Sequence, residues 1–272
     1  MSALSYTVMK NRFREVFSIR FLIQGNDLRM KYLCQKLIAK GFEAEEFREF
    51  PAEPVYFIAS PGKNPEQLIE LIKGLAPGSI LLGAQKSKNL YEQAEISGVK
   101  FLNIMEDEAF AVQNAVPTAE GALSVILANT ECVLRGLDVA ITGYGRIGKV
   151  LAPMLKCLGA NVHVIARNPV DRAWAMGLKT CDLNAMQEEL RSCKVLINTV
   201  PSQIIDENAL RTMPKGSLLI ELASPPYGFD VKAAEALGHK AVMAQALPAK
   251  SAPESAADYL ADAVLRLIFG YG

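Results

Sequence analysis

The fold is decided by the stretch DVAITGYGRIGKVLAPMLKCLGANVHVIA, residues 138–166. It opens with an apolar strand pattern, and Gly143, Gly145 and Gly148 follow in G-x-G-x-x-G spacing at the start of an amphipathic helical pattern. A further glycine closes that helix, and a second strand pattern runs over residues 161–166. This order of strand, turn, helix and strand is typical of the dinucleotide-binding corner of a Rossmann domain.

Each glycine of the motif has its own physical reason. Gly143 permits the tight turn, Gly145 lets the backbone approach a pyrophosphate, and Gly148 lets the helix pack on the strand. The first N–H groups of the helix then face the anion. The sequence therefore predicts a nicotinamide dinucleotide on the segment Gly143-Tyr144-Gly145-Arg146-Ile147-Gly148.

The end of the second strand indicates which dinucleotide is bound. An NAD site usually carries Asp or Glu there, but this chain has Arg167 and Asn168. Arg167 lies 24 residues after Gly143, and a guanidinium at this place would pair with a 2′-phosphate bidentately. We therefore favour NADP(H), and NAD(H) stays possible. Arg146 and Arg172 either assist or are solvated charges.

Two later strand ends are expected to line the nicotinamide half of the site, since open α/β sheets bind ligands at the carboxyl edge. The first is Asn198 with Thr199, Val200 and Pro201, and the second is Glu221 with Leu222, Ala223 and Ser224. Ordinary strand-ending turns are the alternative for both.

The amino-terminal half repeats the pattern without the motif. Gly25 and Gly41 have the same 16-residue spacing as the glycines that open the turn and close the helix in the second half. However, Asp27 and Met30 stand where the later glycines of the motif would, and their side chains would obstruct a pyrophosphate. The first half therefore reads as a substrate or partner domain.

Alternating strand and helix patterns predict an α/β protein. We expect two Rossmann-like doubly wound parallel-sheet domains with a cleft between them, because 272 residues exceed the usual size of one domain. Residues 1–115 form the first, completed by a C-terminal helix at 255–270, and residues 116–250 form the NAD(P)-binding domain.

Composition excludes several other classes of function. Lys plus Arg and Asp plus Glu both number 29, so no nucleic-acid or membrane partner is expected. Lys10, Arg12 and Arg14 precede no apolar secretory stretch, which favours the cytoplasm. Five scattered cysteines and two histidines favour reduced thiols and argue against a metal site or cysteine–histidine catalysis.

Several segments carry a family resemblance. They are Pro117-Thr118-Ala119-Glu120-Gly121, the glycine-rich loop, Leu222-Ala223-Ser224, Leu247-Pro248-Ala249-Lys250-Ser251-Ala252-Pro253 and, loosely, Gly25-Asn26-Asp27-Leu28-Arg29. These segments resemble the A subunit of dipicolinate synthase from spore-forming bacteria, from about residue 19 onward and most distinctly over 114–256. Departures from the family pattern, which could alter substrate positioning, are Asn26, Pro225, Tyr227, Ala249 and Ser255.

The resemblance implies an NADP-dependent oxidoreductase that acts on a CH–CH group. Its product would be dipicolinate, pyridine-2,6-dicarboxylate, made during sporulation from a dihydro- or hydroxytetrahydrodipicolinate precursor of the lysine pathway. It also implies that the partner is the flavoprotein-like B subunit of dipicolinate synthase, in a homo- or hetero-oligomer.

That chemistry needs a base for a ring proton and donors for two carboxylates. The catalytic candidates are Glu120 as base, Lys250 and Ser224. The substrate-binding candidates are Arg29, Thr118 near an expected helix start, Ser224, Lys250 and Ser255. Surface charges are the alternative for Lys250 and Arg29, and a charge on the helix dipole is the alternative for Glu120.

Two other functions stay open. A D-2-hydroxyacid dehydrogenase has the same two-lobed layout, but it commonly needs a histidine near the substrate. His163 is expected inside a strand and His239 just before the last one. A non-catalytic nucleotide-sensing protein is the other alternative, because no residues have unmistakable catalytic spacing.

Overall fold

The computed structural model describes residues 19–270, so Lys10, Arg12 and Arg14 lie outside the described residues. Residues 19–110 and 253–270 form one compact unit, and residues 111–252 form the other. Each unit has its own sheet, and every strand pair in both sheets is parallel. The predicted class of two parallel-sheet α/β domains is confirmed.

The elements follow one another in alternation. The strands are β1 Arg20–Gln24, β2 Glu43–Glu46, β3 Tyr56–Ala59, β4 Ile80–Gly83, β5 Lys100–Asn103, β6 Asp138–Thr142, β7 Asn161–Ile165, β8 Lys179–Cys181, β9 Val195–Asn198, β10 Leu218–Glu221 and β11 Lys240–Met243. The α-helices are α1 Leu28–Ala39, α2 Pro65–Gly74, α3 Lys88–Ile96, α4 Glu108–Gln113, α5 Ala115–Asn129, α6 Arg146–Cys157, α7 Pro169–Trp174, α8 Met186–Leu190, α9 Glu207–Thr212, α10 Val231–Ala236, α11 Leu247–Ser251 and α12 Pro253–Phe269. Short 3-10 turns occupy Ile104–Glu106 and Leu183–Ala185.

The first unit has strand order β2-β1-β3-β4-β5, which is a doubly wound order with its switch point between β1 and β3. Successive residues of β1 point to opposite faces, so Phe21 joins the core under α1 and α12 while Leu22 joins the core under α2 and α3. The C-terminal helix is fastened to α1 by ion pairs from Lys36 to Asp258 at 2.9 Å and from Lys40 to Asp262 at 3.1 Å.

The second unit has strand order β11-β10-β9-β6-β7-β8. If β6 to β11 are numbered 1 to 6 and the sheet is read from β8 to β11, this is the 3-2-1-4-5-6 order of the Rossmann fold. The switch point therefore lies between β6 and β9, where β6 pairs with β7 on one side and with β9 on the other. Ligands of open α/β sheets bind outside the carboxyl ends of the strands at this point.

Some elements differ from the sequence prediction. The strand β2 has the sequence Glu-Ala-Glu-Glu and no apolar pattern, and it was not predicted. It pairs with β1 alone, and an edge strand tolerates charged side chains because one flank faces solvent. The helix expected to start near Thr118 instead covers Ala115–Asn129, with Pro117 in its first turn, where a missing N–H costs nothing.

Within residues 19–270, no helix is both long enough and apolar enough to cross a membrane.

Candidate functional site

The turn between β6 and α6 lies at the switch point of the second unit and needs glycine at its first position. Gly143 has a φ of +87°, which an L side chain rarely adopts. A Cβ atom there would lie 2.6 Å from Thr199 Oγ1 and 2.7 Å from Val200 Cγ2, both on the loop after β9. The turn and that loop are therefore packed against each other as closely as a backbone allows.

The other two glycines of the motif differ in what surrounds them. A Cβ on Gly148 would lie 2.6 Å from the carbonyl oxygen of Gly143, so the helix start packs directly on the turn. A Cβ on Gly145 would meet nothing within 4 Å. Protein packing therefore does not require glycine at position 145, whereas a pyrophosphate lying against the backbone would require it.

The amino end of α6 is open. Gly145 is the N-cap residue, and within the described residues no side-chain capping hydrogen bond is made to this helix. The first N–H groups of an α-helix have no partner within the helix, and uncapped they are suited to bind an anion. The residues of the corner thus fit a dinucleotide pyrophosphate.

The remaining loop residues frame the corner. Tyr144 is buried, and burial raises the pKa of its phenol. Ile147 packs against the core of the unit, and Arg146 is exposed at the first helical position.

The end of β7 carries no acidic side chain. Arg167 is exposed there, while Asn168 caps α7 by accepting a hydrogen bond from the Val170 N–H at 2.9 Å. Arg172 donates to the carbonyl oxygens of Ala166 at 2.6 Å and Arg167 at 2.9 Å, so its guanidinium holds the local backbone. Arg167 is the exposed guanidinium at the position that usually contacts the adenosine ribose.

Two buried polar residues organise the predicted nicotinamide loops. Asn198 ends β9 and Glu221 ends β10, both with 0% exposure. The Asn198 side-chain amide donates to Glu221 at 2.7 Å, and its carbonyl oxygen accepts from Val200 N at 3.1 Å. The sequence prediction places both residues at strand ends expected to line the nicotinamide half, but it assigns no role to either side chain.

Pro201 and Ser224 are exposed in these loops, as are their neighbours Ser202, Gln203, Pro225 and Pro226, whereas Ala223 is buried. Thr199 Oγ1 donates to the Thr142 carbonyl at 2.7 Å, which joins the loop after β9 to the end of β6. The loop after β10 includes Tyr227 at φ +65°, an uncommon backbone conformation for a residue with a side chain.

Helices α5 and α11 bring together two of the segments that carry the family resemblance. A Cβ on Gly121 would lie 2.9 Å from both Leu247 Cβ and Ser251 Oγ, so the glycine lets the helices touch. Ser251 Oγ donates to the Pro117 carbonyl at 2.8 Å. Gln245, just before α11, donates to the Ala223 carbonyl at 3.4 Å, which links this helix pair to the loop after β10.

Glu120 and Lys250 are both exposed on this helix pair. Within residues 19–270, no hydrogen bond or ion pair of the structure engages either side chain. Thr118 is buried and its hydroxyl donates to the Asn114 carbonyl at 2.7 Å. The expectation that a helix begins near Thr118 is wrong: α5 begins at Ala115, so Thr118 and Glu120 lie inside the helix and not among its free N–H groups.

In the first unit, Arg29 is a buried cation, with 5% exposure. Its Nη2 lies 3.8 Å from Asp27 Oδ2, and its Nε has no hydrogen-bond partner among the described residues. Burial lowers the pKa of Arg29, while Asp27 acts in the opposite direction. Burial contradicts the alternative of an ordinary surface charge. Ser255 is exposed in the first turn of α12.

The histidines have structural partners. His163, inside β7, bonds through Nδ1 to Glu189 and through Nε2 to Asp138 at 3.1 Å. His239 precedes β11 and contacts the Leu210 carbonyl at 3.0 Å. Neither contacts the glycine-rich turn.

Two of the cysteines have thiols whose ionisation is opposed by burial. Burial raises the pKa of Cys193 to about 12 and that of Cys181 to about 11, which disfavours their thiolates. Over residues 19–270, no group of three or more His, Cys, Asp or Glu side chains is placed to hold a metal ion.

This geometry agrees with comparison to known proteins. Residues 126–246 match the family described as D-isomer specific 2-hydroxyacid dehydrogenase, NAD binding domain. The second unit is therefore similar to the NAD-binding domains of that dehydrogenase family.

The more particular similarity is to the A subunit of dipicolinate synthase. The chain is 35% identical to that protein of Bacillus subtilis (strain 168) over 171 residues, which cover 62% of this chain and 58% of the relative. The crystal structure of the A subunit of dipicolinate synthase from Bacillus halodurans matches with a TM-score of 0.82 at 26% identity, covering 93% of this chain and 99% of that one. The corresponding crystal structure from Bacillus subtilis matches with a TM-score of 0.76 at 26% identity, covering 93% and 96%. The resemblance inferred from the sequence is confirmed.

Proposed function

We propose that this chain is the nucleotide-binding subunit of an NADP-dependent oxidoreductase that forms pyridine-2,6-dicarboxylate from a dihydro- or hydroxytetrahydro precursor of the lysine pathway. The observation that carries the proposal is the open amino end of α6 at Gly145, in the same unit as three segments of the dipicolinate synthase type.

NADP(H) is preferred in this proposal because of Arg167. The guanidinium is exposed, no acid stands at the end of β7, and Arg172 is already engaged with backbone carbonyls. A 2′-phosphate needs such a cation, whereas the ribose hydroxyls of NAD would usually bind a carboxylate.

The residues of this chain supply the base and the substrate contacts. The glycine-rich turn would hold a nicotinamide cofactor, which would supply the hydride acceptor, and a base of this chain would take the ring proton. A hydroxytetrahydro precursor would lose a water molecule in addition. Glu120 is the proposed base, since its carboxylate is exposed and not held by another side chain within the described residues. Lys250, on the helix that packs against Gly121, is the proposed partner for a substrate carboxylate, and Ser224 orients the ring.

Arg29 is the proposed carboxylate ligand of the first unit. Its Nε is buried without a partner among the described residues, and the nearest carboxylate of Asp27 stands 3.8 Å away. A buried cation with an unused donor gains most from a bidentate carboxylate. Thr118 and Ser255 stay substrate-binding candidates. The proposal includes a flavoprotein-like second subunit, and cytoplasmic activity during sporulation.

The test is an assay in which the lysine-pathway precursor is generated in situ with NADP⁺. Reduced nicotinamide and dipicolinate absorbance are followed together, with and without a candidate flavoprotein-like partner. Both signals should rise in step, and dependence on the second protein would identify the complete enzyme. Binding of NADP(H) without either signal in any combination would refute the proposal.

Substitution at the proposed base sharpens this assay. Glu120→Gln should reduce turnover by at least a hundredfold while NADPH binding is kept, because general-base catalysis typically contributes ~100-fold to ~10,000-fold. Glu131→Gln is the matched control, since Glu131 is also exposed and lies just beyond the end of the same helix. Undiminished turnover in Glu120→Gln would remove Glu120 from the mechanism.

A D-2-hydroxyacid dehydrogenase is the second candidate, favoured by the family match over residues 126–246. The positions of His163 and His239, each bonded to groups away from the glycine-rich turn, disfavour it. NADPH- or NADH-dependent reduction of small 2-oxo acids by the isolated chain would support this second candidate.

A further inference from the structure

The carboxylate of Glu221 is buried at the carboxyl end of β10 with a full set of donors. One oxygen accepts from Asn198 Nδ2 at 2.7 Å and from Ala223 N at 2.8 Å, and the other accepts from Gly228 N at 2.7 Å. An ionised carboxylate only accepts hydrogen bonds, whereas a protonated one must also donate. Three donors and no acceptor therefore match the ionised form.

No positive side chain within the described part of the chain pairs with Glu221. Burial raises the pKa of its carboxyl, although the three hydrogen bonds act in the opposite direction. Removing a carboxylate from water without a counterion costs several kcal/mol, of the order seen for buried ions in proteins. A glutamine in its place would turn an amide N–H toward one of these donors, so the hydrogen-bond set specifies a charged carboxylate at the end of β10.

Hydrogen bonds link the Glu221 carboxylate to the end of β6, where the glycine-rich turn begins. Asn198, which donates to Glu221, accepts from Thr142 Oγ1 at 2.7 Å, so the carboxyl ends of β6, β9 and β10 share one network. A Cβ on Gly228 would lie 2.3 Å from the Asn198 amide, so the loop after β10 closes directly over it. The two predicted nicotinamide loops are held by this one carboxylate.

We propose that Glu221 makes this site prefer the oxidised nicotinamide over the reduced one. The proposal rests on the nicotinamide lying along these two loops, as in the proposed function. The oxidised ring is a cation and the reduced ring is neutral, so a fixed negative charge in a low-dielectric edge stabilises only the oxidised form. Glu221 is thus a positioning residue for the loops and a determinant of redox preference. That preference suits a protein that begins its cycle with the oxidised cofactor.

The experiment measures dissociation constants of NADP⁺ and NADPH for the full chain, for Glu221→Gln and for Thr142→Val. The ratio of the two constants should shift by about tenfold against NADP⁺ in Glu221→Gln, equivalent to ~30 mV for a two-electron couple. Thr142→Val removes one neutral hydrogen bond from the same network, so it should change both constants by the same factor.

Equal weakening of NADP⁺ and NADPH in Glu221→Gln would overturn the proposal and leave the carboxylate as a clamp for the loops. Failure of the unsubstituted chain to bind either form would instead refute the cofactor site. If Glu221→Gln does not fold, the constants of the unsubstituted chain are measured as the pH falls. Protonation of the Glu221 carboxyl should reduce the preference for NADP⁺. The 2′-phosphate is common to NADP⁺ and NADPH, so its own protonation should not change the ratio of the two dissociation constants. A ratio that stays constant as the pH falls would contradict the role of Glu221.

Discussion

The two strand-turn-helix corners of this chain follow the same backbone plan and differ in what occupies the start of the helix. In the first unit, Asp27 is the N-cap of α1 and accepts the Met30 N–H at 3.2 Å. In the second, Gly145 is the N-cap of α6, and no side chain of residues 19–270 caps the helix. The glycines that close the helices, Gly41 and Gly159, have almost the same φ, +85° and +88°.

The space above each turn differs in the same way. At the first corner a Cβ on Gly25 would lie 2.6 Å from Met30 Cγ, so a methionine side chain packs against the turn, whereas in the second Gly148 lets the backbone of the helix start pack directly on Gly143. A helix start thus serves as an anion site only where neither a side-chain cap nor a bulky residue uses it. Small sequence differences at these positions separate a structural corner from a binding corner.

The largest expected effect comes from giving the second corner the cap of the first. Gly145→Asp should weaken NADPH binding by at least ~100-fold, because its carboxylate would take the first N–H groups and repel the phosphates. The φ of −81° at this position is accessible to any residue, so folding should be preserved. Fluorescence titration with NADPH measures the effect.

Gly62→Asp is the matched control for that substitution, since Gly62 has open space around its Cβ position and lies in the first unit. It should leave the affinity for NADPH unchanged. Tight binding of NADPH by the Gly145→Asp variant would mean that the pyrophosphate lies elsewhere.

A smaller effect is expected from removing the cap of the first corner. Asp27→Ala should lower the free energy of unfolding by ~1 kcal/mol, the usual value of an N-cap, and should leave NADPH binding unchanged. Asp27→Asn keeps a capping oxygen and should cost less. Trp174, the single tryptophan, lies in the second unit. The midpoint of urea unfolding should therefore shift more when it is followed by circular dichroism than when it is followed by tryptophan fluorescence. A loss of NADPH binding in Asp27→Ala would contradict the separate roles of the two corners.

The smallest expected effect is a loss of folding stability at low pH, which should occur in both units. Burial alone would raise the pKa of Asp107, but Arg266 holds it below its ordinary value of 3.8. Burial likewise would raise the pKa of Glu189, but hydrogen bonds from Lys179 and His163 outweigh burial and hold this pKa below its ordinary value of 4.5. A lowered carboxyl pKa stabilises the fold above the ordinary value, and this stabilisation is lost as pH falls through the folded-state value.

Thermal unfolding between pH 7 and pH 3 checks this expectation. Asp107→Asn should lower the unfolding temperature at pH 7 and flatten its fall below pH 4, relative to the unsubstituted chain. Arg266 Nε lies 2.7 Å from Asp107 Oδ2. If the unfolding temperature of Asp107→Asn fell below pH 4 as steeply as that of the unsubstituted chain, this ion pair would be excluded as a source of acid sensitivity.

The sequence predicted what depends on local spacing. The glycine turn, the strands around it and the contrast with Asp27 could be read directly, because a turn conformation and a helix cap involve residues a few positions apart. The family resemblance could also be read, since its segments are continuous in the chain.

What could not be predicted depends on contacts between distant residues. The packing of Gly121 against Leu247 and Ser251 joins helices more than a hundred residues apart, and no local pattern encodes it. The same is true of the bond between Asn198 and Glu221. The sequence prediction placed the start of this helix near Thr118, whereas α5 begins at Ala115 with Pro117 in its first turn, where proline is tolerated.

The most direct test of the dinucleotide corner is a titration of the unsubstituted chain and of Arg167→Ala with NADPH and with NADH. We expect saturable binding of NADPH at least tenfold tighter than that of NADH, and loss of that difference in Arg167→Ala, because the 2′-phosphate would lose its guanidinium. Equal affinity for both cofactors in the two proteins would contradict the preference for the phosphorylated form. Absence of binding by either cofactor would contradict the site itself.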